Sequence, residues 1–270
     1  MKAANVISRR KKILEELVHG PLNKPELVDR TDVSRSTVNR AVRELEEVGL
    51  VRPSDGGYET TLIGRLGLEC HQIYRQELRD LFDAEDVLAP LPADCNLPLE
   101  VICESELYVA TDPAPYRPME QIHTTIQECE TFRTLLPVLY DTRFLERCYE
   151  HAVTEGNDTC LVVEQSFLDA VLRDFPAQLE QKLAQEQFTL QKGDTPPYGL
   201  LLADHEYQTT VLIIIFEESK GPVHAVLKSH HPTVVQWAEE RFENAIDEAT
   251  VVTTTDLNKH IANGSGERSN

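Results

Sequence analysis

The pattern of hydrophobic and polar positions over residues 1–65 predicts three helices followed by a β-hairpin. Apolar positions recur at helical spacing over residues 6–19, and Gly20-Pro21 ends that helix. A second, short helix follows Asn23 and ends near Arg30. Its start combines an asparagine cap, an early proline and a glutamate placed for a capping box. The chain therefore begins with a small helical domain.

The third helix and the hairpin complete this domain. Ser34 is a favourable cap for a helix predicted over Arg35–Val48, which Gly49 closes. Two short strands, at residues 50–52 and 58–61, flank a glycine-rich turn. Three helices followed by a hairpin are typical of a winged helix-turn-helix.

Beyond the hairpin, the pattern changes to a long helix and then to alternating strand-like and helix-like segments. A helix predicted over residues 62–81 serves as a connector, and a proline-rich stretch at 89–98 ends it. Strand-like apolar runs follow at 106–111, 132–140, 159–164, 198–203, 210–216 and 223–228. Helical spacing recurs at 119–130, 142–154, 167–185 (interrupted by Pro176) and 233–248. This alternation predicts an α/β domain built on a mixed sheet.

The predicted organisation has four parts. Residues 1–65 form the winged helix-turn-helix, of α+β class, and residues 66–88 form the connector helix. Residues 89–250 form the α/β domain with its mixed sheet. Residues 251–270 are polar and are expected to be disordered.

Charge is distributed unevenly between these parts. The net charge is −20, yet residues 1–65 hold 12 Lys and Arg against 10 Asp and Glu, which gives +2. The other 205 residues therefore carry −22. The first part can approach phosphates, whereas the second repels them. A strongly acidic surface also fits the cytoplasm of a salt-loving organism.

No segment predicts a membrane span or secretion. The longest apolar run, Val211–Phe216, has six residues, whereas a membrane-spanning helix needs about 20. No N-terminal stretch has the build of a signal peptide, so we expect a cytoplasmic protein. Six cysteines without a C-x-x-C pair predict neither a disulfide framework nor a zinc site. We expect no metal and no cofactor.

The third helix carries the chemistry for reading DNA. Its apolar residues fall on one side, and a polar stripe at i, i+3, i+4 and i+7 spacing falls on the other. The stripe consists of Ser36, Asn39, Arg40 and Arg43. Arginine pairs with guanine and asparagine with adenine in the major groove. Arg35 and Thr37, near the helix start, are better placed for phosphates. The alternative is a merely solvated helix face, which the surrounding capped helix and hairpin disfavour.

A basic cluster on the first helix allows two interpretations. Residues 9–12 are Arg-Arg-Lys-Lys. Contact with DNA phosphates and ordinary surface charge explain the cluster equally well.

These segments resemble known regulators. Val33–Val51 looks like the recognition helix and wing entry of prokaryotic winged-helix regulators. Pro197–Leu200 and His231–Phe242 resemble the effector half of archaeal methanogenesis-regulator-type transcription factors, which are similar in plan to the TrmB sugar-sensing regulators. The resemblance covers about residues 8–250. It implies an archaeal, haloarchaeal transcription factor with a phospholipase-D-like effector domain, and it leaves the ligand open.

Three functions compete for the second domain: a small-molecule sensor, a phosphodiesterase-like enzyme, and a ligand-free dimerisation or docking module. Phospholipase-D chemistry needs histidine and lysine at H-x-K-x4-D spacing. His224 stands four residues before Lys228, and neither a G-x-S-x-G elbow nor a Walker loop occurs. We therefore expect no enzyme.

The sensor hypothesis points to two predicted strand-to-helix junctions. Lys228, Ser229 and His230 precede the last helix, where an anion would be favoured. Glu164 and Ser166 form a similar junction. A small anionic metabolite, such as a sugar phosphate, is the expected effector. The alternative is that both serines only cap helices and that the histidine lies on the surface.

Arg133, Trp237 and the connector helix each have a predicted contact. Arg133 begins an otherwise apolar strand, either as a ligand contact or as the partner of an acidic surface residue. Trp237 is expected in the core. The connector carries Leu66, Ile73, Leu78 and Leu81. These leucines and the isoleucine offer the apolar contact of a homodimer that binds a double-stranded operator.

Overall fold

The computed structural model describes residues 2–139, 141–154, 156–217 and 221–255. The chain divides into two compact units, residues 1–82 and 83–270. No helix in these described ranges is long and apolar enough to cross a membrane.

The first unit is a winged helix-turn-helix extended by one long helix. Its elements are α1 (Lys2–Val18), α2 (Lys24–Thr31), α3 (Arg35–Glu47), β1 (Val51–Ser54), β2 (Gly57–Thr60) and α4 (Leu62–Asp83). β1 and β2 pair in antiparallel register. One apolar core joins the helices to the hairpin through buried residues such as Leu14, Leu27, Val38, Leu45 and Leu50. The predicted N-terminal architecture is confirmed.

Local sequence explains how these elements begin and where they meet. The Asn23 side chain accepts a hydrogen bond from the Glu26 amide, and the Glu26 carboxylate accepts one from the Asn23 amide, which completes the predicted capping box. Gly57 has φ +125, and a β-carbon there would collide with the carbonyl oxygen of Leu22. A glycine is therefore required where the hairpin meets the start of α2.

The second unit is an α/β domain with an eight-stranded sheet. Its strands are β3 (Glu106–Val109), β4 (Thr131–Leu136), β5 (Thr159–Val163), β6 (Phe188–Lys192), β7 (Gly199–Asp204), β8 (Thr209–Glu217), β9 (Gly221–Ser229) and β10 (Thr250–Val251). Its helices are α5 (Glu85–Leu88), α6 (Leu99–Cys103), α7 (Arg117–Glu128), α8 (Thr142–Tyr149), α9 (Gln165–Asp174), α10 (Pro176–Leu183) and α11 (Pro232–Glu248), with a π-helix at Glu150–Thr154.

The sheet is mixed, as the sequence predicts. Its strand order is β10-β6-β5-β4-β7-β8-β9-β3. β4, β5 and β6 are parallel, and every other neighbouring pair is antiparallel. The three parallel strands are joined by helical crossovers, whereas β7, β8 and β9 follow one another as a meander.

Helices cover both faces of this sheet. Alternate strand residues bury on opposite sides, so that Leu201 and Leu212 pack with α7, α8 and α9, while Leu202 and Val211 pack with α5, α6 and α11. Burial on both faces explains why β7 and β8 have unbroken apolar runs. Trp237 is partly buried and packs against the core on the side of the sheet that α5, α6 and α11 cover, which confirms its predicted place in the core.

Some boundaries differ from the predicted ones. β4 ends at Leu136 because Pro137 follows, and Tyr140 lies outside the described residues. The helix predicted over 142–154 becomes α8 and a π-helix, and the helix predicted over 167–185 starts earlier and divides before Pro176. Val251, at the start of the predicted tail, pairs with Gln191 of β6. The rest of that tail, from residue 256, lies outside the described residues.

Candidate DNA-binding surface and effector site

α3 separates apolar and polar residues between a buried and an exposed face. Its apolar side chains, Val38, Ala41, Val42 and Leu45, are buried in the core of the first unit. The predicted stripe of Ser36, Asn39, Arg40 and Arg43 is exposed. Four side chains that can contact nucleic acid therefore project from one helix face without a packing function.

The two residues predicted to contact phosphates lie in the first turn of α3. The Ser34 hydroxyl accepts a hydrogen bond from the Thr37 amide at 3.2 Å, and it also contacts the hydroxyls of Ser36 at 2.9 Å and Thr37 at 2.8 Å. These hydroxyls thus take part in the cap. Arg35 is exposed beside them. Helix N-termini combine amide donors with a favourable dipole for phosphate.

Carboxylates on α3 hold both arginines of the stripe. Arg40 Nε lies 3.0 Å from Glu44 Oε1, and Arg43 Nε lies 3.5 Å from Glu47 Oε1. Arg43 belongs to an exposed pair, in which the side chains retain 73% and 51% of their accessible surface. Glu44 is only 15% exposed. Arg40 is therefore paired with a largely buried carboxylate, whereas Arg43 is paired with an exposed one.

Glu44 also connects α3 to α1. Arg10 donates to both of its carboxylate oxygens, at 2.9 and 3.1 Å. These hydrogen bonds from Arg10, together with the bond from Arg40, lower the pKa of Glu44 from 4.5 to about 2. Arg9 approaches the same carboxylate at 3.7 Å. The result is a bidentate contact between the two helices at the edge of the candidate DNA-binding surface.

The basic cluster of residues 9–12 therefore has a partly structural function. Arg10 is 16% exposed and is bound to Glu44, while Lys11 pairs with Glu15 at 3.3 Å. Arg9 retains 58% of its side-chain surface. Lys12 is also exposed, so Arg9 and Lys12 remain accessible to a phosphate.

The structure adds two residues that sequence analysis does not identify. Lys24 and Tyr58 line a concave surface of about 720 Å³ together with the stripe on α3. The Lys24 ammonium lies 5.4 Å from the centre of the Tyr58 ring, within cation–π range. They come from α2 and β2, so only the tertiary fold brings them to Asn39 and Arg43. The sequence feature that could have indicated Lys24 is its position at the start of α2.

The predicted effector residues fall at opposite ends of the sheet. β4 and β5 are parallel, and the antiparallel steps through β7 and β8 make β9 run opposite to β5. Glu164 and Ser166 follow the end of β5, whereas Lys228 and His230 stand at the end of β9. The two junctions therefore do not form one site.

Two of the predicted effector residues, Arg133 and Glu164, have structural contacts of their own. Arg133 Nη2 lies 3.6 Å from Asp204 and 4.0 Å from Glu239, and its guanidinium lies 5.5 Å from the centre of the Phe242 ring. This supports the acidic-partner interpretation of Arg133. Glu164 accepts a hydrogen bond from the Thr195 hydroxyl at 3.0 Å.

The interpretation of the serines as helix caps is wrong. The cap of α9 is Glu164, and Ser166 is exposed in the first turn. The cap of α11 is His231. The buried Ser229 hydroxyl donates to the Glu104 carbonyl at 2.5 Å and accepts from the His231 amide at 3.1 Å, so it joins two loops.

Lys228 and His230 line a cavity of about 530 Å³ at one end of the sheet. Thr210, which is 2% exposed, connects two imidazoles there: its hydroxyl lies 3.1 Å from His205 Nε2 and 3.3 Å from His230 Nδ1. Lys228 Nζ lies 3.5 Å from Gln121 Oε1. In the described part of the chain, no three His, Cys, Asp or Glu side chains are grouped so as to hold a metal ion.

Two family models match the chain. Residues 115–248 match "Methanogenesis regulatory protein FilR1, middle domain", and residues 4–80 match "HVO_A0261 N-terminal domain". No curated protein sequence matches. The first match falls within the α/β unit, and the second contains the winged helix-turn-helix and most of α4.

Solved structures similar to the chain include an archaeal chromatin protein and a phospholipase D family member. TrmBL2, an archaeal chromatin protein, is 14% identical with a TM-score of 0.43, over 93% of this chain and 98% of that one. NucT from Helicobacter pylori is 9% identical with a TM-score of 0.42, over 55% of this chain and 99% of that one. Nuc from Salmonella typhimurium, a phospholipase D family member, is 11% identical with a TM-score of 0.41, over 56% of this chain and 100% of that one.

Proposed function

We propose that this chain, a winged helix-turn-helix transcriptional regulator with a FilR1-type middle domain, reads an operator as a homodimer and adjusts its affinity to a small molecule. The DNA-reading part rests on one observation. The apolar face of α3 is buried while its polar stripe is exposed. A helix of this kind enters the major groove in helix-turn-helix proteins.

Each residue of the surface has a proposed contact. Arg40 and Arg43 bind guanine edges, and Asn39 binds adenine, because these side chains match the donor and acceptor patterns of those bases. Ser36 contacts a neighbouring base edge. Arg35 and Thr37 bind phosphates and fix the register of α3. Lys24 adds a further phosphate contact from α2.

Operator titrations with arginine variants test this assignment. The operator is first selected from a random double-stranded library with the full chain. Arg40→Ala and Arg43→Ala should each weaken binding to it by about 1–3 kcal/mol, since each loses one base contact. Arg173→Ala, an exposed arginine of α9 that pairs with Asp174, is the matched control and should bind as the parent does. Parent-like affinity in both α3 variants would refute the assignment.

The homodimer proposal rests on α4. Leu62, Ile63, Leu66 and Ile73 are 67%, 66%, 44% and 53% exposed on this helix. Leu66, Cys70, Ile73 and Glu77 recur at alternating four- and three-residue steps, the spacing of a coiled-coil seam. Leu78 and Leu81, also predicted for this contact, are partly buried. Leu66 and Ile73, two exposed apolar side chains one heptad apart, favour a second copy of the helix as the partner.

Light scattering tests the oligomeric state. At micromolar concentration the full chain should have twice its mass of 30.6 kDa. The double variant Leu66→Glu, Ile73→Glu should have the monomer mass, because like charges would oppose one another across the seam. The matched control, Arg65→Glu with Gln72→Glu, changes neighbouring exposed polar residues and should remain dimeric. A monomeric parent protein, with or without DNA, would exclude the homodimer.

Regulation by a small molecule is the third part of the proposal. The second unit has a polar cavity lined by Lys228 and His230. We assign no catalytic reaction to this unit. A ligand that favours one of two conformations by about 1–3 kcal/mol would change operator affinity by roughly 5–150-fold. A domain that regulates the promoter without any ligand would favour the docking module instead.

A further inference from the structure

The cavity at the end of β9 is built by three separate parts of the second unit. α7 contributes Thr125 and Glu128, the turn between β7 and β8 contributes His205 and Glu206, and β9 contributes Lys228. Its volume of about 530 Å³ is that of a small-molecule site.

A buried hydroxyl in this wall has no partner in the described part of the chain. Thr125 is 1% exposed, and its Oγ1 forms no hydrogen bond there. Buried polar atoms in folded proteins nearly always have a hydrogen-bond partner, because leaving one unsatisfied is costly. Thr125 belongs to the cavity lining, so a polar molecule bound there would offer this hydroxyl a partner.

The neighbouring imidazoles are held in a fixed order. His205 Nδ1 donates to the Glu128 carbonyl at 3.1 Å, and His205 Nε2 lies 3.1 Å from the Thr210 hydroxyl. The same hydroxyl lies 3.3 Å from His230 Nδ1. These contacts fix both rings and leave His230 Nε2 for a further polar contact.

Charges of both signs line the same cavity. Lys228 supplies an ammonium group whose contact with Gln121 is long, at 3.5 Å. Glu128, Glu130 and Glu206 supply carboxylates, and Glu206 also accepts a hydrogen bond from Tyr207. Three carboxylates against one lysine disfavour a ligand that carries only negative charge. Lys228, in turn, needs an acceptor.

We propose that this cavity binds a small zwitterion of the free α-amino acid class. Its carboxylate lies on Lys228, its ammonium group lies on the carboxylates of Glu128 and Glu130, and the Thr125 hydroxyl bonds one of the two groups. The inference rests on the proposed regulatory function, for which it supplies the effector. It replaces the sugar phosphate expected from sequence with a ligand of balanced charge.

Binding to the full chain is tested directly with the twenty L-amino acids. Pools are screened by thermal shift, and each hit is measured by calorimetry. Inorganic phosphate serves as the anion probe, and 1,4-diaminobutane serves as the cation probe. We expect at least one amino acid to bind, and both probes to bind at least about tenfold more weakly, since each lacks one charged contact.

Three variants locate the site. Lys228→Gln should weaken binding of the hit by about tenfold or more. Thr125→Val should also weaken binding, yet the ligand-free protein should melt no lower than the parent, because an unsatisfied buried hydroxyl is removed at nearly constant volume. The matched control Lys192→Gln, an exposed lysine on β6, should bind the hit as the parent does.

Several outcomes would overturn the proposal: no amino acid binding, phosphate binding as tightly as the best amino acid, or parent-like affinity in both cavity variants. Operator titrations separate this result from the regulatory function. If an amino acid binds the cavity without changing operator affinity, the cavity assignment stands and the regulatory proposal fails. If a different metabolite changes operator affinity and no amino acid binds, the regulator stands and this inference fails.

Discussion

Glu44 both joins two helices of the first unit and holds an arginine that we propose to contact DNA. It accepts hydrogen bonds from Arg10 on α1 and from Arg40 on α3, so one carboxylate joins two helices and also holds a side chain of the proposed DNA-binding surface. Arg40 must leave or share this carboxylate to bind a base, whereas Arg43 has only an exposed pair with Glu47 to give up. We therefore expect Arg43 to contribute more to the affinity for the operator.

The lowered pKa of Glu44 gives a prediction with a defined pH window. Its pKa falls from 4.5 to about 2 on folding, so the ionised group stabilises the native state above about pH 4.5, and this contribution is lost as the pH falls towards 2. Glu44→Gln should be less stable than the parent near pH 7. The difference should shrink between pH 4.5 and pH 2, as followed by urea unfolding of the first unit.

Glu47→Gln is the control for this experiment. Its carboxylate is 51% exposed and pairs only with Arg43 in the described contacts, so the substitution should change stability by less than about 0.5 kcal/mol at any pH. A stability difference between Glu44→Gln and the parent that is the same at pH 7 and pH 3 would contradict the coupling.

At the scale of elements, helix capping distinguishes Ser34 from Ser166, although the two serines have similar positions in the sequence. Both stand near predicted helix starts, yet Ser34 caps α3 while Ser166 is an exposed first-turn residue of α9. Ser34→Ala should destabilise the protein by about 1 kcal/mol, because the Thr37 amide loses its acceptor. Ser166→Ala should lie within about 0.5 kcal/mol of the parent. Equal urea midpoints for the two variants would contradict the cap assignment.

The elements also show what sequence can predict and where it stops. α3 has caps, period and a closing glycine that agree with one another, so its bounds follow within one residue. β6 is not predicted, because Phe188 and Leu190 give a period of two over only five residues and its neighbours come from distant parts of the chain. Lys24 and Tyr58 are likewise not predicted for the proposed DNA-binding surface, since only the fold brings them near α3.

At the scale of the whole molecule, the direction of strands decides which residues can cooperate. In the sequence, Glu164 and Lys228 lie at similar strand-to-helix junctions, because both stand at the end of an apolar strand. The sheet order then puts them at opposite ends, since β9 runs against β5. Sequence patterns contain no strand order, so the cavity near Lys228 and His230 could not be predicted.

The net charge of −20 makes a further prediction for the whole chain. Like charges repel one another in the compact state, and salt screens this repulsion as the Debye length falls from about 10 Å at 0.1 M to about 3 Å at 1 M. The melting temperature should therefore rise between 0.1 and 1 M KCl. A gain of about 1 kcal/mol corresponds to a rise of about 2–4 °C for a domain of 150–250 residues.

Binding to DNA should respond to salt in the opposite direction, because phosphate contacts release counterions. One titration series thus separates the two effects: melting temperature rises while operator affinity falls over the same range of KCl. Sucrose at matched osmolality is the control, since it favours the compact state without screening charge. A melting temperature that responds to sucrose and not to KCl would show that repulsion between the acidic residues does not limit the stability of this chain.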